Sequence, residues 1–513
     1  MATNRINLKN ILQGKQTILL PVLSGLLLIA AFPPFEQGYL AWFALLPLLT
    51  IVLTVNPRKA FWAGFIFGVP LHFYLNFYLT NVLFPYLSTT LAVAAIAALV
   101  LYISLFNGLF ALGASLINRT GKTWFIALAT PSLWLFSEYL RSLGFTAYNV
   151  GYLGYTQWGY PTLLNIASQY GYWGLPFLMV FFQVIILLLY RKKLKGPELG
   201  LIAGIFLFLL STGLLLPDLQ TVQNDEQHLS VALIQGNSNP DQIIDSSNED
   251  IVQLYLTLTA TALNREPDIE LVVWPETVAK LNFSAGERHH PLIVQLAEEH
   301  EVSILYGARI REGDQLFNSI TLFTPGQEEV PVYKKHRLVP FVEYFPLDQL
   351  LNRILELDLL LGSYTAGEEI TVFQVGGNPV GGAVCFESYF GDHTRLIAAK
   401  GSRHLFVATN DNWFGESIGL ELHAQAAAIR AAEMGSGVTQ VANSGITISF
   451  DHRGRELFRS GKNEAAIFTL PLDLITRDTF YVQFGDYFPI IWIVFLLITV
   501  PYHINAGLFK KTS

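Results

Sequence analysis

Residues 378–388 read NPVGGAVCFES, a short apolar run of small and β-branched residues that ends on Cys385, the one cysteine of the chain. A run of this length bounded by turn residues predicts a buried strand, and Gly381-Gly382 permit a close backbone approach just before the cysteine. Comparable runs lie on both sides of it: LSVALIQ (229–235), IELVVWP (269–275), VSILYGARI (302–310), NSITLFT (318–324), RHLFVATN (403–410), GVTQVAN (437–443), GITISF (445–450) and AAIFTL (465–470). Helical patterns fall between several of them, at 247–264, 291–300 and 420–435. Continuous apolar strands alternating with helices predict an α/β sandwich whose sheets are covered by helices.

Outside that region the chain changes solvent. Of 513 residues only 14% are charged and 52% are hydrophobic, with a mean hydropathy of +0.40. Apolar stretches of about 20 residues, the length a bilayer requires, are expected at 17–34, 38–55, 60–82, 88–116, 123–142, 163–190 and 197–216, and again at 486–507. The first is not expected to be a cleaved signal, because no small-residue cleavage site ends it and another span follows at once. The polar run PDLQTVQNDEQH (217–228) reads as a linker into a water-soluble region. Three parts follow: a seven-span domain over 1–216, a soluble domain over 217–485, and an eighth span with a tail over 486–513. Basic residues in the connections cluster on one side: Arg5, Lys9 and Lys15; Arg58 and Lys59; Arg119 and Lys122; Arg191, Lys192, Lys193 and Lys195; Lys510 and Lys511. Only Arg141 falls in the opposite short loops, so both termini are expected in the cytoplasm and 217–485 outside it. A net charge of −8 without a basic run excludes an electrostatic case for nucleic acid.

A single cysteine is either a buried hydrophobe or a reactive thiol, and it excludes an internal disulfide and any CxxC site. Two other polar residues also stand where strands end: Glu276 in VVWPET and Lys335 in VYKKHRLVPF. A thiol of pKa near 8.5 needs a base or a cation beside it to react at neutral pH. A carboxylate there takes the thiol proton and returns it to a leaving group, while an ammonium stabilises the oxyanion of a tetrahedral intermediate. Each residue alone has a plain structural reading, a helix cap for Glu276 and a solvated surface for Lys335.

The order Glu276, Lys335, Cys385 resembles the nitrilase superfamily, and with eight spans around it the chain resembles its membrane-embedded branch, the apolipoprotein N-acyltransferase family. The likeness rests on FPPF (32–35), EYLR (138–141), QGN (235–237), WPE (274–276), YKKHRLVPFVEYFP (333–346), CFES from Cys385, NDNWFG (410–415), His423 with the RAAEMG stretch after it, and NSG (443–445). It implies a multi-pass α-helical membrane domain joined to a nitrilase-like αββα sandwich, in the bacterial cytoplasmic (inner) membrane with the catalytic domain on the periplasmic face. It implies Glu276 as general base, Lys335 as oxyanion-stabilising lysine and Cys385 as nucleophile. Glu343 and Glu387 match two further required carboxylates, which hydrogen-bonding scaffold roles also explain, and Phe386 and Trp413 would line the substrate site. The family commonly has Tyr where Phe386 stands, Arg where Ser436 and Gln440 stand, and GFPW where this chain has Gly144-Phe145-Thr146-Ala147.

The partners the resemblance implies are a phospholipid acyl donor and a diacylglyceryl-modified lipoprotein acceptor, both held by the bilayer. A buried methylene is worth roughly 0.8 kcal/mol, so drawing a long acyl chain into water costs more than about ten kcal/mol. The segment LDQLLNRILELDLLLGS (347–363) is apolar enough to serve either as an interfacial lid or as an internal helix. No cofactor or metal is expected: HExxH and Walker A patterns are absent, and His289, His290, His393, His404 and His423 lack ligand spacing. A monomer is expected. Two other functions stay open at this stage, a membrane-anchored amidase or nitrilase that uses water as acceptor, and a transporter or receptor with an external binding domain.

Overall fold

The computed structural model describes residues 14–219, 222–223, 228–238, 248–340, 342–344 and 364–509. The proposed lid at 347–363 lies outside the described residues. Two compact units are present: one takes residues up to Asp218 together with those from Asp486 onward, the other is Leu219–Gly485.

The first unit is helical: α1 (Gln16–Ile29), α2 (Leu46–Val52), α3 (Pro57–Asn76), α4 (Leu79–Leu83), α5 (Thr89–Asn118), α6 (Thr123–Arg141), α7 (Pro161–Tyr170), α8 (Gly174–Tyr190) and α9 (Gly196–Leu215). Among the described residues α5 and α9 are each long and apolar enough to cross a membrane, and α7 with α8 forms a third candidate if taken together. The span expected at 163–190 is thus not one straight helix. Its halves meet at 109°, because Gly171 leaves the helical region with φ of 67° and ends α7. The span expected at 38–55 is also shorter than a crossing helix, a 3-10 turn at Gly38–Trp42 followed by the seven residues of α2. Leu201, Leu207, Phe208 and Leu215 stand exposed along α9, a surface that suits hydrocarbon and not water.

Small residues set the closest helix contact. A Cβ on Gly64 of α3 would lie 2.2 Å from the Asn107 carbonyl oxygen of α5, and one on Gly68 would lie 2.7 Å from Asn107 Nδ2. The four-residue spacing of these glycines lets the two backbones touch, which lipid alone does not drive. Glu138 and Arg141, in the last turn of α6, are buried. Glu138 accepts from the Leu153 amide at 3.0 Å and from the Tyr172 hydroxyl at 2.9 Å, and Arg141 donates to the Tyr148 carbonyl at 3.2 Å. The two charges fasten the loop after α6 to the helices.

The second unit opens with β1 (Val222–Gln223) and β2 (His228–Gln235), then α10 (Asn248–Arg265), β3 (Leu271–Val273), β4 (Ala279–Asn282), α11 (Pro291–Glu299), β5 (Ser303–Glu312), β6 (Gln315–Phe323) and β7 (Val332–Lys334). It continues with β8 (Val372–Val375), β9 (Asn378–Val384), α12 (Gly391–Ala399), β10 (His404–Thr409), α13 (Gly419–Met434), β11 (Gly437–Ala442), β12 (Ile448–Phe450), β13 (Glu456–Arg459), β14 (Ala466–Asp473), β15 (Thr476–Arg477) and α14 (Phe480–Phe484). The chain then returns to the helical unit as α15 (Tyr487–Phe509). One sheet runs β14-β2-β3-β5-β6-β7 with β4 alongside β5, and the other runs β13-β12-β11-β10-β9-β8. Their centres, β2-β3-β5 and β9-β10-β11, are parallel and their flanks antiparallel.

Alternation along β2 shows how the layers form. Leu229, Val231 and Leu233 point to the space between the sheets, where they share a core with Val273, Ile320, Val384, Phe406 and Val441. Ala232 and Ile234 point the other way, onto Val252 and Tyr255 of α10 and Ile293 of α11. Residues two apart on a strand share a face, so a strand buried on both faces reads as one apolar run. On the far side α12 packs on β9 and α13 on β11, which completes an αββα sandwich.

Candidate active site

Three neighbouring strand ends supply the site. Glu276 sits in the turn after β3, Lys335 directly follows β7, and Cys385 directly follows β9. The Glu276 turn is pinned from several directions. Trp274 is fully buried and donates its indole N–H to Thr259 at 2.9 Å. Gly307 of β5 donates to the Pro275 carbonyl at 3.1 Å and accepts from the Val278 amide at 2.9 Å. A Cβ at Gly307 would lie 2.3 Å from the Pro275 oxygen and 2.6 Å from Glu276 Cα, so only glycine lets this turn approach.

Lys335 is 1% exposed. Its Nζ lies 3.0 Å and 2.9 Å from the two carboxylate oxygens of Glu343. Asn318 of β6 bridges both acids, donating to Glu276 Oε1 at 2.7 Å and to Glu343 Oε1 at 2.9 Å. The Asn410 amide donates to Glu276 Oε2 at 3.0 Å and the Val339 amide to Glu343 Oε2 at 2.8 Å. Two carboxylates and one ammonium therefore share a site fixed mostly by neutral donors. Burial raises the Glu276 pKa above its ordinary 4.5, with Glu343 adding to the rise and Lys335 opposing it. Burial works against the Lys335 ammonium, but Glu343 and Glu276 outweigh it and hold its pKa above the ordinary value.

Cys385 has φ of 50°. A side chain in this left-handed region costs roughly 1–3 kcal/mol, and such strain gathers at functional sites. Burial and the nearby Glu276 push the thiol pKa well above its ordinary value, with Lys335 opposing. The resting group is thus a thiol, and a nucleophilic attack from it needs a base acting in the same step.

Glu387 sits beneath Cys385 and is completely buried. Its carboxylate accepts from the Tyr333 hydroxyl at 2.7 Å to each oxygen, and from the amides of His336 at 2.7 Å, Arg337 at 3.0 Å and Val384 at 2.8 Å. Burial alone would raise its pKa, yet His393, Lys335, Tyr333 and the Val384 amide hold it below 4.5. This anion clamps the loop carrying Lys335 to the end of β9. Phe386 packs its ring against Tyr389 and Phe390, with centroids 5.5 Å and 5.2 Å apart, and Trp413 is half-buried in the 3-10 turn Asp411–Phe414. Of the positions that depart from the family pattern, Ser436 is buried, and Gln440 is buried in β11 with its amide donated to the Ile446 carbonyl at 3.1 Å.

Cys385 Sγ, an Asp411 carboxylate oxygen and an His423 ring nitrogen lie within 4.8 Å of one another, a spacing a metal ion accepts. Both ring nitrogens of His423 already face oxygen acceptors, Asp411 at 2.8 Å and the Cys385 carbonyl at 3.1 Å, so a metal ligated through this ring would displace one of those contacts.

Two family models match the chain, the apolipoprotein N-acyltransferase N-terminal domain over residues 24–185 and the carbon-nitrogen hydrolase over residues 230–478. A Geobacter metallireducens protein named apolipoprotein N-acyltransferase is 31% identical, covering 92% of this chain and 92% of its own length. The chain belongs to the apolipoprotein N-acyltransferase family. A Treponema denticola relative, named apolipoprotein N-acyltransferase 1, is 26% identical over 97% of this chain and 98% of its own. Among solved structures, Nit3 of Saccharomyces cerevisiae is 18% identical with a TM-score of 0.37, covering 48% of this chain and 90% of its own. A Nesterenkonia amidase of the nitrilase superfamily also has a TM-score of 0.37 at 18% identity, covering 50% and 93%.

Several residues that build the site carry no signal of their own. Asn318 and Gly307 read as ordinary positions in strands, and Tyr333, inside the YKKHRLVPFVEYFP motif, does not stand out. The QGN and NSG motifs turn out to brace the sandwich: Asn443 accepts from Ser238 Oγ at 2.9 Å and Tyr255 at 2.7 Å, and Ser444 donates to Asn237 at 2.7 Å.

Proposed function

We propose that this chain is a phospholipid:apolipoprotein N-acyltransferase that works by two half-reactions through a thioester on Cys385. The observation that carries the reading is the delivery of Glu276, Lys335 and Cys385 to one buried site, with the cysteine in a left-handed backbone at a strand end. In the first half, Glu276 takes the thiol proton as sulfur attacks the ester carbonyl of a phospholipid. The Lys335 ammonium stabilises the oxyanion, and the proton passes from Glu276 to the departing alkoxide, giving a lysophospholipid and an acyl-cysteine. In the second half the α-amine of a diacylglyceryl-modified N-terminal cysteine attacks the thioester. Glu276 takes the amine proton and returns it to the leaving thiolate. An α-amino group has a pKa near 8, so a useful neutral fraction exists at physiological pH and modest base assistance suffices.

In this reading Glu343 holds Lys335 charged and aimed, Glu387 holds the Lys335 loop, and Phe386 and Trp413 line the lipid site. The seven-span domain is 1–216, the catalytic domain 217–485, and the eighth span and tail 486–513. The protein sits as a monomer in the bacterial cytoplasmic membrane with the catalytic domain on the periplasmic face and both termini in the cytoplasm. The test is the purified protein in phospholipid vesicles with a synthetic diacylglyceryl-cysteinyl peptide. The peptide is expected to gain one acyl chain as an amide on its α-nitrogen, with an equal yield of lysophospholipid. Release of free fatty acid without amide formation, or turnover of short amides in lipid-free detergent, favours the hydrolase reading instead.

A further inference from the structure

His423 lies in α13, is 1% exposed, and faces an acceptor at each ring nitrogen. Asp411 Oδ1 is 2.8 Å from Nδ1, and the carbonyl oxygen of Cys385 is 3.1 Å from Nε2. A carbonyl has no hydrogen to donate. Asp411 Oδ1 is already an acceptor, since the Thr409 hydroxyl donates to it at 2.8 Å. A neutral imidazole carries one N–H and would leave a lone pair against one of these oxygens; the doubly protonated ring satisfies both. The ring is stacked on Tyr389, with centroids 5.5 Å apart at 15°, and meets the edge of Phe414 at 6.3 Å.

We propose that His423, as an imidazolium held by Asp411, is the positioning residue that fixes Cys385 in its left-handed conformation by donating to the Cys385 carbonyl. The inference rests on the reading of Cys385 as nucleophile. A φ of 50° is disfavoured for a residue with a side chain, and α13 anchors the carbonyl of that same residue. The charged groups facing the ring are Asp411 from the 3-10 turn after β10 and, further off, Glu276 from the turn after β3. Burial works against the charged ring, and Asp411, the Cys385 carbonyl and Glu276 together raise its proton affinity above the ordinary histidine value. The His423–Asp411 pair also stands beside Sγ, where the Asp411 carboxylate opposes thiolate formation, so the ring acts on Cys385 through its carbonyl.

Because Cys385 is the only cysteine, alkylation of the full-length protein by iodoacetamide reports this thiol alone. His423→Gln is expected to slow labelling roughly ten- to hundredfold, the range for loss of a hydrogen bond from a charged donor. In the double variant Asp411→Asn with His423→Gln, the Asn amide donates to the Gln oxygen and the Gln amide donates to the Cys385 carbonyl, so labelling should recover in part. With ¹⁵N-histidine, the wild type should show a buried ring with both nitrogens protonated at neutral pH, a signal missing from His423→Gln. Wild-type labelling in His423→Gln, a double variant no faster than the single one, or an unprotonated His423 nitrogen in the wild-type spectrum would each overturn the inference. The spectrum decides even if a variant fails to fold. Labelling that depends on His423 while phospholipid never acylates Cys385 would leave this inference standing and remove the acyltransferase mechanism.

Discussion

At the scale of single residues, the site contains one ammonium between two acids, and the balance is testable. Lys335→Met removes the partner of the buried Glu343, which costs about 3–5 kcal/mol when one member of a buried pair is lost. Adding Glu343→Gln should recover most of that stability, measured by denaturant unfolding. Activity should stay down by about 10²–10³, the usual loss for an oxyanion donor. The pH dependence follows from Glu276, whose pKa burial raises above 4.5. The base acts only when ionised, so Cys385 acylation should rise with pH through a midpoint above the ordinary glutamate value and level off beyond it. The raised pKa also means that the folded state binds this proton more tightly than the unfolded chain. Its stabilising contribution is therefore complete below about pH 4.5 and fades as pH climbs through the same midpoint. Glu276→Gln should abolish the rise and lower the rate by about 10²–10⁴.

At the scale of elements, β5 positions Glu276, the proposed base, through the one residue of the strand that has no side chain. Gly307→Ala would place a methyl 2.3 Å from the Pro275 oxygen and push the Glu276 turn outward. Overpacking of this kind costs about 1–3 kcal/mol, and a shift of about 1 Å at a reacting group costs about 10²-fold in rate. The enzyme should fold with a modestly lowered melting temperature and lose most of its acylation rate. The strands before Glu276 and Cys385 were legible in the sequence because they are buried on both faces, and an apolar run with a polar residue at its end stands out; β7, before Lys335, is three residues long with only Tyr333 buried, and it showed through its motif instead. Asn318 was not legible, since an asparagine inside NSITLFT looks like any polar position of a strand and only the fold brings it to both acids. Likewise, the stretch 163–190 has no charged residue, so hydropathy gives no sign of the 109° bend that Gly171 introduces. For Glu387 a scaffold role was legible but its partners were not, because the His336 and Arg337 amides it binds lie about 50 positions earlier.

At the scale of the whole molecule, the proposed topology puts the catalytic domain outside the cytoplasm and the loop after α8 inside it. In a Cys385→Ala background, Asp314→Cys on the exposed β5–β6 turn should react with a membrane-impermeant maleimide added to intact spheroplasts. Lys192→Cys, exposed after α8, should react only after lysis, and the reverse pattern would invert the topology. In the proposed reaction both acyl donor and acceptor are lipids held by the bilayer, so storing the chain on the protein between two encounters fits it. The most direct measurement of that claim is the mass of the Cys385 peptide after incubation with a phospholipid of defined acyl chains and no acceptor. A thioester adduct of one donor chain, discharged by a diacylglyceryl peptide and formed about 10²–10⁴ times more slowly in Glu276→Gln, is the predicted result. Transfer to the peptide at full rate with Cys385 never acylated, or in a Cys385→Ala protein, would contradict it.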